Sequence, residues 1–205
     1  MTRIKLCGLT RPCDIEAANA LKPEYIGFIF ASKSRRYISM EQAAVLKKQL
    51  IPTIETVGVF VNEAPERVAA CLNGGLIDIA QLHGSESAAY IRQLKSLTGR
   101  PLIQAFRIDA GQDIETANFS VADYILLDSG TGGTGTAFDW RLLRKIDRPY
   151  FLAGGLTPDN VEYAIRTLAP YAVDVSSGIE TDGCKDQNKM AAFVTAARAA
   201  PGTRL

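Results

Sequence analysis

Histidine is almost missing from this chain, with His83 the single copy among 205 residues. Of the four cysteines, Cys7, Cys13, Cys71 and Cys184, no two have Cys-x-x-Cys spacing, so neither a zinc site nor any other metal centre is expected. The thiols are scattered, and a chain large enough to bury its own core needs no disulfides in a reducing compartment. An excess of charge is missing too, since 23 Lys and Arg face 22 Asp and Glu with no basic block. Nothing therefore marks the surface for nucleic acid or an anionic membrane. No apolar run approaches the length of a membrane span, and the start MTRIKLCG lacks the apolar core of a signal peptide. A cytoplasmic protein is expected. No Pro/Ser/Gly-rich linker interrupts the chain, which predicts one domain over residues 1–205.

What the chain does have is alternation. Short apolar, β-branched runs fall at Ile4–Cys7, Tyr25–Phe30, Thr56–Val61, Ile77–Leu82, Leu102–Phe106, Tyr124–Asp128, Tyr150–Ala153 and Val173–Ser176. Amphipathic stretches follow them at Pro12–Leu21, Met40–Leu50, Pro65–Leu72, Ser87–Leu97, Ile114–Asn118, Asp139–Lys145, Pro158–Leu168 and Gln187–Arg198. Pro12, Pro65 and Pro158 sit where a missing N–H costs a helix nothing. Asp139 is a good N-cap, which gives neighbouring Trp140 a packing role at the start of the sixth stretch. Eight β-then-α units in about 200 residues predict a small (β/α)8 TIM barrel rather than an open doubly wound sheet. No repeat relates its halves.

Barrel enzymes gather their chemistry at the carboxyl ends of the strands. The first strand brings Lys5 and Cys7 there. Two residues apart, they share a face at roughly 6.5–7 Å, where a lysine ammonium favours thiolate over thiol. By the same two-residue period, Gln81 pairs with His83 and Asp174 with Ser176 facing inward, and Asp128 ends the sixth strand. Adjacent first and eighth strands would bring Lys5 within hydrogen-bonding reach of Asp174. The turns Leu152-Ala-Gly-Gly-Leu156 and Val175-Ser-Ser-Gly-Ile179 follow strands seven and eight, the usual barrel phosphate cradle. Gly154, Gly155, Ser177 and Gly178 would then bind one anion, and the ligand would be a small phosphorylated molecule. The run Ser129-Gly-Thr-Gly-Gly-Thr-Gly-Thr136 lacks the lysine of a nucleotide-binding loop and reads as a lid after Asp128.

Nine segments in order carry a family resemblance: Lys5-Leu-Cys-Gly-Leu-Thr10, Gly27-Phe-Ile-Phe30, Ser34-Arg-Arg-Tyr37, Val57-Gly-Val-Phe60, Gln81-Leu-His-Gly84, Leu127-Asp-Ser129, Gly132-Gly-Thr-Gly135 with Phe138-Asp-Trp140, Leu152-Ala-Gly-Gly-Leu156 and Asp174-Val-Ser-Ser-Gly178. Together they resemble phosphoribosylanthranilate isomerase of tryptophan biosynthesis. Leu6 and Leu9 stand where that family more often has isoleucine, an exchange that leaves Lys5, Cys7 and Gly8 in place. The resemblance implies an Amadori rearrangement of N-(5-phosphoribosyl)anthranilate to 1-(2-carboxyphenylamino)-1-deoxyribulose 5-phosphate. It assigns the general base to Cys7, the general acid to Asp128 and the grip on the anthranilate carboxylate to Arg36, with Arg35 a solvated charge. Lys5 would stabilise the thiolate, and His83 would contact substrate or line the pocket wall, in a packing or hydrogen-bonding role rather than a catalytic one. No cofactor is implied, and a monomer is expected rather than a homodimer. With reference pKa values of about 3.9 for Asp and about 8.5 for Cys, acid and base start the wrong way round and must titrate as a coupled pair. Two readings stay open beside this one: another sugar-phosphate barrel enzyme, of histidine biosynthesis or an indoleglycerol-phosphate synthase, and a phosphosugar-binding module without catalysis. A Schiff base on Lys5 is a further mechanism that borohydride trapping would expose.

Overall fold

A computed structural model describes residues 1–108, 111–128 and 142–200. The Gly/Thr-rich run 129–136, Asp139 and Trp140 lie outside the described residues. Eight parallel strands close into a barrel in sequence order: β1 (Arg3–Cys7), β2 (Tyr25–Ile29), β3 (Glu55–Phe60), β4 (Ile79–Leu82), β5 (Leu102–Arg107), β6 (Tyr124–Asp128), β7 (Tyr150–Ala153) and β8 (Ala172–Val175). The helices are α1 (Pro12–Leu21), α2 (Met40–Lys47), α3 (Pro65–Asn73), α4 (Ala88–Leu97), α5 (Gly111–Asn118), α6 (Val161–Leu168) and α7 (Gln187–Ala199). Between β6 and β7 the described residues form only a 3-10 turn, Leu142–Lys145. Among them no helix is long and apolar enough to cross a membrane.

Local chemistry explains several boundaries. Pro12 and Pro65 open their helices, and Ser39, Ser87 and Asp186 cap α2, α4 and α7 by accepting from backbone N–H groups. Pro158 does not open α6, because Asn160 accepts from the Thr157 N–H at 2.8 Å and holds 157–160 as a turn ahead of Val161. Helix α2 stops at Lys47, short of Leu50. Strand ends shift by one or two residues from the apolar pattern. Val61 is exposed beyond β3, Ile77 is buried in the turn before β4, and Ser176 already starts the turn after β8.

Register carries a single parity around the barrel. Lys5 pairs with Tyr25 on one side and Asp174 on the other, and the inward set continues through Val57, Ile79, Ile103, Leu126 and Phe151 to Ala172. These residues form the inner core, capped below by Tyr124 and Tyr171. Opposite-parity residues such as Leu6, Phe28, Phe60 and Leu152 pack outward in the larger core beneath the helices. One feature is absent from the apolar pattern. After a 3-10 turn at Ser177–Ile179, β9 (Glu180–Thr181) and β10 (Cys184–Lys185) form a small antiparallel hairpin. Asp182 (φ 50°) and Gly183 (φ 78°) make its two-residue loop, a turn whose two positive φ angles suit Asp-Gly.

Candidate active site

A cavity of about 560 Å3 opens at the carboxyl ends of the strands. Cys7 and Asp128, the last residues of β1 and β6, both line it, with Arg36, Gln81, His83, Asp174 and the two glycine-bearing turns. The register that closes the barrel therefore places the predicted acid and base in one chamber.

Beneath them lies the expected ion pair. Lys5 Nζ donates to Asp174 Oδ1 at 2.9 Å, with 0% and 9% of the two side chains exposed. Burial works to lower the Lys5 pKa, but Asp174 and then Cys7 outweigh it and hold the ammonium above its ordinary value. For Cys7 the balance runs against the simplest expectation. Burial pushes its thiol up, and the neighbouring Lys5 charge pulls it down without reversing the result. Cys7 is thus a thiol that Lys5 makes easier to ionise, not a standing thiolate. Room for the sulfur comes from β2, since a Cβ on Gly27 would stand 2.6 Å from Cys7 Sγ.

His83 links the other wall. Its Nδ1 lies 2.8 Å from Gln81 Nε2, and its Nε2 lies 3.7 Å from Asp128 Oδ2. At that distance the two are neighbours but not hydrogen-bonded, and both side chains are about one-third exposed (37% and 33%). Gln81 is buried, and its Oε1 has no hydrogen-bond partner among the described residues.

Of the four predicted anion-binding residues, Gly154, Gly155 and Ser177 line the cavity, whereas Gly178 lies behind its lining. Gly154 (φ 88°) and Gly155 (φ 62°) adopt the left-handed backbone that favours glycine. A Cβ on Gly178 would stand 1.9 Å from the Leu156 carbonyl oxygen. The two turns touch here, so any side chain at 178 would push them apart before it blocked a ligand.

Arg36 lines the cavity, but its guanidinium is already engaged. Its Nε and Nη2 donate to the two carboxylate oxygens of Glu180, the latter bond at 2.8 Å. Arg35, mainly exposed, donates to the same carboxylate at 2.9 Å and so is not merely solvated. Lys185 Nζ adds a third contact at 2.7 Å, with 2% and 5% of the Lys185 and Glu180 side chains exposed. Burial works to raise the Glu180 pKa, yet Arg36 and Lys185 bring it down to about 2. Neither Glu180 nor Lys185 stood out in the sequence, because the strand period ends at Val175. Asp182-Gly183 was the available signal. Arg107, at the end of β5, is a further lining cation that strand reading missed.

A family model for N-(5'-phosphoribosyl)anthranilate (PRA) isomerase matches residues 4–196. The chain belongs to that family. An N-(5'-phosphoribosyl)anthranilate isomerase of Thermoanaerobacter sp. (strain X514) is 46% identical over 207 residues, covering 97% of this chain and 98% of the relative. A crystal structure of phosphoribosyl anthranilate isomerase with reduced 1-(o-carboxyphenylamino)-1-deoxyribulose 5-phosphate superposes with a TM-score of 0.86 at 36% identity, covering 97% of this chain and 99% of that one. A structure of monomers generated from the dimeric enzyme of Thermotoga maritima gives 0.84 at 35%, covering 97% and 100%. Membership makes this barrel an isomerase of tryptophan biosynthesis with a small phosphorylated substrate.

Proposed function

We propose that this site isomerises N-(5-phosphoribosyl)anthranilate with Asp128 as general acid and Cys7 as general base. The observation that carries the reading is their shared cavity: acid, base, a guanidinium and two touching glycine turns line one chamber. Asp128 gives its proton to the furanose oxygen as the C1–O bond breaks and the anthranilate nitrogen lone pair forms the iminium. Cys7 then takes the proton from sugar C2. The C–H electrons move into the C1–C2 bond and neutralise the nitrogen, giving an enolamine that tautomerises to the ketone. Lys5 lowers the cost of the thiolate. His83, beside Asp128, touches substrate at the pocket wall. Gly154, Gly155, Ser177 and Gly178 hold the phosphate, and Arg36 holds the anthranilate carboxylate.

The productive state carries one proton between the two groups, held on Asp128 and not on Cys7. Because burial and Asp174 outweigh Lys5 in raising Cys7, the alkaline limb of kcat/KM should lie above the ordinary thiol range. The chain is taken to act in the cytoplasm as one catalytic barrel without a cofactor. It is taken to be active as a monomer. The test is a fluorescence assay of phosphoribosylanthranilate, generated in situ, with the active species sized by gel filtration. Rapid loss of substrate on adding this protein is the expected result, and no loss would overturn the reading.

A further inference from the structure

We infer that Glu180 and Lys185, on the small hairpin after β8, are positioning residues that fix the distance between the carboxylate grip and the phosphate cradle. The inference rests on the reading above, in which Arg36 and the glycine turns hold the two anionic ends of one substrate.

Guanidinium has five N–H donors in a planar fork. Glu180 occupies the side edge, accepting from Nε and from one Nη2 hydrogen. The end edge, made by Nη1 and the other Nη2 hydrogen, keeps the parallel pair of donors a carboxylate requires. Glu180 thus holds Arg36 by the edge the substrate does not need. The same carboxylate accepts from Lys185 Nζ, which also donates to the Ser176 carbonyl at 2.8 Å and to Ser176 Oγ at 3.2 Å. Ser176 begins the turn that carries Ser177 and Gly178, and its hydroxyl donates to the Cys7 carbonyl at 3.1 Å. One buried carboxylate–ammonium pair therefore joins the guanidinium, the anion turn and the strand bearing the base.

The hairpin is itself anchored. Arg11, paired with Asp14 on α1, donates through Nη2 to the Lys185 carbonyl, while Lys189 on α7 donates to the Glu180 carbonyl at 2.7 Å. Three cations converge on one carboxylate, so the cluster keeps positive charge for a ligand with two anionic ends. A ligand with both ends should feel the loss of this ruler. Phosphate alone, held by backbone of the cradle, should not.

The experiment is a double-mutant cycle on KM for phosphoribosylanthranilate, with inorganic phosphate as a competitive inhibitor reporting the cradle alone. Glu180→Gln should raise KM about tenfold or more, the weight of one charge-assisted hydrogen bond, while kcat stays within about threefold and the phosphate inhibition constant within about twofold. In an Arg36→Met background the further Glu180→Gln change should leave KM unmoved, because a residue acting through Arg36 has nothing left to act on. If Glu180→Gln does not fold, Glu180→Asp, one methylene shorter, carries the same prediction. Unchanged KM, additive effects in the cycle, or a lower KM would overturn the inference; the last would make Glu180 a competitor for the fork. If Arg36→Met alone left KM unchanged, the failure would belong to the carboxylate grip, and the positioning role would fall with it.

Discussion

The two ends of this barrel bury polar groups in opposite ways. At the amino-terminal end the phenols of Tyr25, Tyr124 and Tyr171 satisfy one another, with Tyr171 Oη 3.3 and 3.4 Å from the other two. Tyr124 and Tyr171 stack at 5.1 Å, and Arg3 lies over the Tyr171 ring. The three phenols are neutral, mutually paired and aromatic, a plug that closes the inner core. At the carboxyl-terminal end the buried groups are ions, Lys5 with Asp174 and Lys185 with Glu180. There the Gln81 amide oxygen has no partner among the described residues. One end spends its polarity internally. The other holds charge in fixed positions around a chamber, and that is the difference between a floor and an active site.

The contrast can be broken most severely at its acid. In the proposed mechanism Asp128→Asn removes the proton that opens the ring, so it should lower kcat roughly 100- to 10,000-fold, with KM little changed in the fluorescence assay. A kcat within about twofold of wild type would detach Asp128 from the chemistry. The next effect is on stability. Asp174→Ala strands the Lys5 ammonium in the barrel interior and should cost about 3–5 kcal/mol in urea unfolding. A loss of only a few tenths would mean that the pair in the upper layer carries no more weight than a surface contact.

Acid should then sharpen the comparison. The Glu180 pKa falls from an unfolded value near 4.5 to about 2 in the folded protein. A depressed carboxylate contributes stability that is complete above its unfolded pKa and disappears as pH falls toward its folded one. Unfolding free energy should thus drop between about pH 4.5 and 2, and Glu180→Gln should flatten part of that slope. The smallest change belongs to the floor. Tyr171→Phe removes hydroxyl hydrogen bonds worth about 1 kcal/mol and should leave kcat and KM as they were. A catalytic defect there would erase the distinction between the two ends.

Much of this was legible in the sequence because parallel strands buried on both faces read as apolar, β-branched runs, and a strict two-residue period carries Lys5, Gln81 and Asp174 to the same side. Ends were less legible, since burial does not stop where pairing stops. Ile77 is buried in a turn that Asp78 fixes by accepting from the Thr56 N–H at 2.8 Å, and apolar character alone cannot separate such a residue from the strand it precedes. The ionisation of Cys7 was legible only in part. Lys5 two positions away announces a favourable charge, whereas the opposing desolvation depends on closure of the barrel around the sulfur. Glu180 and Lys185 were hidden for another reason, because the hairpin has two-residue strands and no period to read.

In the proposed mechanism the Cys7 sulfur takes the proton from sugar C2. Cys7→Ser keeps the shape of the side chain but replaces the thiol with a hydroxyl too weakly acidic to ionise. The direct measurement is kcat of this variant at saturating phosphoribosylanthranilate, beside the inhibition constant of inorganic phosphate as a check that the cradle is intact. We expect kcat to fall by roughly two orders of magnitude or more while phosphate binding stays at the wild-type level. A Cys7→Ser enzyme with nearly unchanged kcat would rule Cys7 out as the base.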